Sequence, residues 1–304
     1  MQYVLKTDAL CKKYGHFLAL NGLSLHVPKG AIYGFVGKNG SGKTTLIRLI
    51  CGLQTPSAGE YQLYGTDSRE KGIAQVRRRM GAVVETPSIY QELTAEENLR
   101  EQYRVLGMPS FEGIPQLLEL VGLDDTGKKK ARNFSLGMKQ RLGIAVALCG
   151  EPDFLVLDEP MNGLDPQGIV EIRELILRLN RERQITVLVS SHILDELARI
   201  ATHYGFIDGG HMVREISAAE LETACRKCLR ITVSDTRILA RMLDEQRLAY
   251  EIHSDTEASI FAQPSITPLV LALAEAGCEL LSVREQDESL ENYYINLVGG
   301  GRHA

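Results

Sequence analysis

The 304-residue sequence predicts an α/β fold with a mixed sheet core. An antiparallel β subdomain and a helical subdomain are attached to that core, and a small α+β domain follows it. Three observations carry this expectation. The chain opens with short alternating strands separated by turn formers. Its middle alternates strand, helix and strand at lengths that imply parallel pairing with right-handed crossovers. After about Ser217 the order of elements becomes βαββαβ.

From residue 3 to about residue 35, "YVLKTDAL", "LNGLSLHV" and "AIYGFVG" read as strands with Gly, Asn and Pro between them. A helix begins inside "GKNGSGKTTLIRLICGL", and a strand pair surrounds "GEYQLYG". The segment from about Thr94 to Gly150 reads as helical, with breaks at Gly107–Pro109, Gly113–Pro115 and the basic run Lys128–Arg132. Strand "FLVLDEP", helix "PQGIVEIRELILRLNRER", strand "ITVLVSSH", helix "ILDELARIA" and strand "YGFIDGG" come next. The tail reads as a helix, then strand "LRITVS", helix "TRILARMLDEQ", strands "LAYEIHS" and "ASIFAQ", helix "ITPLVLALAEAG", strand "ELLSVRE" and a last helix "ESLENYYINLV". That order suggests a split-βαβ domain with its helices on one face, and it carries no chemical motif. The expected division is residues 1–216, with a helical subdomain at about 86–150, and an accessory α+β domain at 217–304.

The bulk numbers exclude several classes. A net charge of −5 gives no general pull toward nucleic acid or anionic lipid, and the absence of Trp argues against a base-stacking surface. The N-terminus lacks the basic-then-apolar layout of a signal peptide. No apolar run approaches the roughly 18–20 residues that span a bilayer. The expectation is a soluble, cytoplasmic chain that reaches a membrane only through a partner. Six cysteines are scattered, and in that compartment they are reduced thiols. Cys225 and Cys228 form a C-x-x-C, which suggests zinc or redox chemistry. No further ligands lie at matching spacing, so the pair reads instead as two positions on one helix face.

The chemistry begins at "GKNGSGKT", which fits G-x-x-x-x-G-K-[ST] between an apolar strand and a helix. Its glycines let backbone N–H groups turn toward phosphate oxygens, and the helix N-terminus adds partial positive charge. Gly37, Lys38, Asn39, Gly40, Ser41, Gly42, Lys43, Thr44 and Thr45 are the expected ATP cradle. Lys43 would reach the β- and γ-phosphates and the Thr44 hydroxyl would ligate Mg²⁺, as in P-loop NTPases. "FLVLDEP" then sets Asp158 and Glu159 side by side at the end of an apolar strand. Alone, that is a solvated rim. Behind a phosphate loop, Asp158 suits a second magnesium anchor through water, and Glu159 can polarise a water for in-line attack.

"NFSLGMKQRLGIAVAL" resembles the ABC-transporter signature LSGGQ-x-QR and its helix. Ser135 and Gly137 match that signature's Ser and second Gly. Phe134 replaces its Leu, Leu136 its first Gly and Met138 its Gln. The chain is thus similar, over about residues 3–215, to an ABC-transporter ATPase subunit. The resemblance implies that Ser135 and Gly137 meet ATP held by a second subunit, and that Asp165 in "MNGLDP" faces that subunit. It makes His192 the switch histidine at the γ-phosphate, and Tyr14 the aromatic that stacks on adenine. From the residues alone, the alternative for Tyr14 is a strand tyrosine packed in the core. After strand "GAVV" the family has a Gln that binds Mg²⁺. Here Glu85 stands in that place, unless Gln91 is the aligned residue. A carboxylate there would bind Mg²⁺ more strongly than an amide.

Glu85, "FSLGM" and a C-terminal extension of this size resemble the ATPases of bacitracin- and lantibiotic-type exporters. The resemblance implies ATP and Mg²⁺ as cofactors, a second ATPase subunit (a homodimer, with a heterodimer as the alternative), a separate membrane permease driven from about Glu85 to Tyr103, and no nucleic acid. The protein would sit peripherally on the inner face of the membrane. The alternative is a soluble, non-transport ABC ATPase of translation, repair or assembly. The cargo is not written in this chain.

Overall fold

The computed structural model describes residues 2–224, 228–261, 266–286, 293, 294 and 297. These fall into two compact units, Met1–Ala218 and Ala219–Ala304.

In the first unit, β1 (Tyr3–Tyr14) and β2 (Phe17–Pro28) form an antiparallel hairpin. They are longer than the sequence pattern suggests, because register shifts let both strands bend and continue. Next come β3 (Ile32–Val36), α1 (Lys43–Ile50), β4 (Ala58–Leu63), β5 (Thr66–Asp67), α2 (Ile73–Arg77) and β6 (Met80–Val83). Strands β2, β1, β4 and β5 make a four-stranded sheet in that order.

The helical stretch resolves into α3 (Ala95–Leu106), α4 (Ile114–Leu120) and α5 (Leu136–Leu148), with two short 3₁₀ turns between α4 and α5. Thr94 caps α3 in a reciprocal capping box with Glu97, and Gly107 ends it in the left-handed region. Pro115 starts α4 rather than breaking a helix, since its missing N–H costs nothing in the first turn.

β7 (Phe154–Asp158), α6 (Pro166–Arg183), β8 (Thr186–Ser191), α7 (Leu194–Ala198), β9 (His203–Asp208) and β10 (His211–Ser217) complete the unit. The main sheet runs β10-β9-β3-β8-β7-β6, and all its pairings are parallel except β10 with β9. Every residue of β3, β7 and β8 is buried, as expected of parallel strands covered on both faces. Leu46, Ile47, Leu49 and Ile50 of α1 are fully buried in the core beside Phe35, Val156 and Leu188. Each contributes on the order of 1.5–3 kcal/mol. The phosphate-loop helix therefore cannot shift without disturbing that core.

In the second unit, α8 (Ala218–Ala224) leads to β11 (Cys228–Val233), α9 (Thr236–Glu245), β12 (Tyr250–Ile252), β13 (Glu257–Ile260), α10 (Ile266–Glu275) and β14 (Leu280–Gln286). The sheet order β12-β13-β11-β14, antiparallel throughout, splits the β11–α9–β12 crossover around β13. Leu229, Ile231 and Val233 alternate inward and share one core with Leu239 and Leu243 of α9 and Leu269 and Leu273 of α10. Both helices therefore cover the same face. One reading needs correction. Cys228 opens a strand, where β-branched neighbours favour extended backbone, so it does not share a helix face with Cys225. Cys225 and most of the expected last helix lie outside the described residues.

Candidate nucleotide site

Sheet order brings the C-terminal ends of β3, β8 and β7 together as neighbours, and each carries chemistry at its end. The loop leaving β3 turns into α1, whose N-cap, Gly42, offers no side-chain acceptor. By contrast, α3, α5 and α6 are capped by Thr94, Ser135 and Asp165. The first N–H groups of α1 therefore lack an intrahelical partner and an acceptor from the cap, which suits an anion. Two glycines are obligatory here. A Cβ on Gly37 would fall 2.6 Å from the Ile207 carbonyl, and Gly42, at φ 111°, would place one 2.6 Å from the Ala19 carbonyl. Lys38, Asn39 and Gly40 are exposed at the loop tip, Thr44 and Thr45 are half-buried, and the Ser41 hydroxyl is buried without a hydrogen-bond partner among the described residues.

Lys43 is 5% exposed. Its ammonium donates to the Gly37 and Lys38 carbonyls at 2.6 and 3.2 Å, and lies 3.1 Å from Glu159 Oε1. The three contacts match its three protons. Glu159 Oε2 lies 2.8 Å from His192 Nδ1. Glu159 leaves β7 with φ 49°, which swings it off the line of the strand. Its N–H donates to the Ser190 hydroxyl at 2.9 Å, while that hydroxyl donates to Asp158 Oδ1 at 2.6 Å. Asp158 is 1% exposed, and its Oδ2 has no hydrogen-bond partner among the described residues. Burial, reinforced by the charge of Glu159, raises the Glu196 carboxyl above its ordinary range, although His192 pulls the other way.

An unpaired, buried carboxylate oxygen beside a phosphate loop costs free energy until a cation or donor reaches it. A divalent cation fits this donor set. Among the described residues no group of three His, Cys, Asp or Glu converges to hold a metal unaided, so a cation here would draw on further oxygens such as those of phosphates.

The remaining expected residues lie apart from this cluster. Glu85 has φ 60°, and its carboxylate pairs with the Arg48 guanidinium at 2.6 Å. The Tyr14 ring is 39% exposed, so it is not a core residue; its hydroxyl donates to Gln54, and the Lys12 ammonium lies 5.3 Å from the ring centre. Ser135 accepts from the Met138 N–H at 3.2 Å, and Asp165 from the Gly168 N–H at 3.1 Å. Gly137 packs near Leu164 and Gly168, so the starts of α5 and α6 form one surface. Within the described residues, no hydrogen bond or ion pair joins Ser135, Gly137 or Asp165 to the phosphate loop. Sequence reasoning missed two residues, Ser190 and Arg48. Ser190 could have been noticed as a hydroxyl in an otherwise apolar strand. Arg48 gave no signal beyond being basic in the last turn of α1.

The sequence pattern of the ABC transporter family matches residues 20–162. The bacitracin transport ATP-binding protein BcrA of Enterococcus faecalis is 39% identical over 303 residues, which is 99% of this chain and 98% of that one. The chain belongs to the ABC transporter family. This ABC chain is also 39% identical over 212 residues to the lantibiotic transport ATP-binding protein SrtF of Streptococcus pyogenes, covering 70% of the former and 90% of the latter. Among solved structures it resembles the dimeric post-hydrolysis state of the ATP-binding cassette MJ0796 bound to ADP and Pi. The TM-score is 0.63 at 25% identity, covering 70% of this ABC chain and 98% of that one. Among its described residues no helix is long and apolar enough to cross a membrane.

Proposed function

We propose that this chain is the ATP-binding and ATP-hydrolysing subunit of a transporter that exports, or confers resistance to, a peptide antibiotic, and that it drives a separate membrane permease. The observation that carries the enzymatic part is the position of Lys43. It is buried between two loop carbonyls and Glu159, where a γ-phosphate would replace the carboxylate as its counter-ion. Relatives named for bacitracin and lantibiotic transport support the cargo class.

ATP binds with its phosphates on the free N–H groups at the start of α1 and on Lys43. Thr44 and Asp158 would hold Mg²⁺, with Glu85 supplying a third oxygen. When bound, that ion would offset the negative charge of the phosphates and satisfy Asp158 Oδ2. Lys43 transfers its attention to phosphate and releases Glu159, which then accepts a proton from the attacking water. His192, held by Glu159 Oε2, contacts the γ-phosphate side of that water. Tyr14 stacks on adenine, its exposed ring being open to a base.

The helix starts at Ser135 and Asp165 form one surface, and the Ser135 hydroxyl is exposed on it. A second copy, packed head to tail, would present its ATP there, so that each site uses the loop of one copy and Ser135–Gly137 of the other. Hydrolysis removes the γ-phosphate contacts and lets the pair open. The permease would hold this subunit on the inner face of the membrane and receive that motion through the segment from Glu85 to Tyr103.

The test is Glu159→Gln in the full chain. ATP binding should persist, while steady-state hydrolysis should fall by about 10²–10⁴-fold, the usual contribution of a general base. Undiminished turnover would remove Glu159 from that role.

A further inference from the structure

The ion pair between Arg48 and Glu85 has no part in the chemistry above, yet it occupies the carboxylate that the magnesium site needs. Parallel pairing sets Val83 opposite Leu157, and Glu85 and Glu159 each follow the end of one of these adjoining strands. Both residues leave their strands in left-handed backbone, at φ 60° and 49°. The structure neutralises them separately, with Lys43 on Glu159 and Arg48 on Glu85, and both cations come from α1. The Glu85 side chain has no other partner among the described residues.

The chain that follows Glu85 is tied to the helical subdomain. Pro87 lies against α5 so closely that a Cβ on Gly143 would sit 2.6 Å from it. The Tyr90 N–H donates to Asn98 of α3 at 2.7 Å, and the Gln91 carbonyl accepts from the Arg132 N–H at 2.8 Å. Glu92 pairs with the Arg132 side chain at 2.9 Å. The segment is thus a strap whose far end is fixed to α3 and α5, the helix that carries Ser135. Its near end continues from β6, with Val84 packed against the core that contains α1 and the Glu85 side chain held by Arg48.

We infer that Arg48 is a positioning residue that holds Glu85 while no nucleotide is bound, and that Glu85 exchanges Arg48 for the magnesium of incoming Mg·ATP. The guanidinium and the metal compete for one carboxylate. Loading of the site and release of Glu85 from Arg48 are therefore a single event. The magnesium half of this exchange rests on the reading of Glu85 as a metal ligand; the Arg48 half does not.

The experiment uses the full chain with Arg48→Met, which keeps the apolar stem, with Glu85→Gln, and with both. In nucleotide-free protein, hydrogen exchange at the amides of residues 86–93 should speed up about two- to five-fold in each single variant, the range an exposed ion pair supports. The double variant should exchange no faster than either. Magnesium-dependent binding of a fluorescent ATP analogue is then measured in the Glu159→Gln background, where turnover does not interfere. Arg48→Met should lower the half-saturating Mg²⁺ concentration about two- to five-fold. The same change made on top of Glu85→Gln should do nothing. Unaltered exchange in Arg48→Met would overturn the hold on the strap. Faster exchange with an unchanged magnesium requirement would overturn the competition. If Arg48→Met lowered the magnesium requirement equally on top of Glu85→Gln, the metal-ligand reading would fail while the exchange result still decided the role of Arg48.

Discussion

Replacing Ser190 by Ala removes one oxygen from the centre of the site, and the structure sets what that costs. The hydroxyl donates to Asp158 Oδ1 at 2.6 Å, and Asp158 Oδ2 already lacks a partner. Without Ser190 a carboxylate that is 1% exposed would have no hydrogen bond on either oxygen. The Glu159 N–H also loses an acceptor, but keeps the Ser190 carbonyl at 3.2 Å, so its share is small. A hydrogen bond to a buried charge contributes about 1.5–3 kcal/mol, and we take about 2–3 kcal/mol for the variant. In a unit of 218 residues each kcal/mol moves Tm by about 2–4 °C, which gives a fall of about 4–12 °C without nucleotide. Saturating Mg·ATP supplies Asp158 with a positive partner, so the gap between variant and parent should narrow. Thermal unfolding followed by circular dichroism, with and without Mg·ATP, reads both numbers. An unchanged Tm without nucleotide would refute the reasoning, because Asp158 would then be satisfied in some other way. A gap that does not narrow would refute the placement of the cation beside Asp158.

Two further outcomes are expected. Gly137→Asp has room in the single chain, since the nearest atom to a new Cβ is 3.8 Å away, so the fold should be unchanged. It puts a negative charge where the partner's phosphate would sit, and should abolish ATP-dependent dimerisation of the Glu159→Gln protein on size exclusion; undiminished dimer would refute the trans contact. Burial pushes the Cys149 thiol up to about 12, so iodoacetamide at pH 8 should label it only after denaturation, and rapid labelling of native protein would contradict this. By linkage, the folded thiol keeps its proton while the unfolded one, with a pKa of about 8.5, loses it. That contribution to stability is complete below about pH 8.5 and declines as pH rises toward 12.

Where the determinants are local, the amino-acid order alone was sufficient. The loop from Gly37 to Thr45 needs backbone that only glycine tolerates, next to an apolar strand and a helix, and all of that is contiguous. The caps Thr94, Ser135 and Asp165 and the alternation of Leu229, Ile231 and Val233 are equally local, because they depend on contacts within a few residues or on a period of two. Tertiary structure decided which strand ends meet. The order β10-β9-β3-β8-β7-β6 is what makes Ser190 a neighbour of Asp158, Lys43 of Glu159 and Arg48 of Glu85. None of these pairs is near in sequence, and each partner alone looks like an ordinary serine, lysine or arginine. A parallel sheet can be threaded in several orders by similar apolar strands, so the pairing is fixed by packing against helices such as α1 rather than by any strand's own residues.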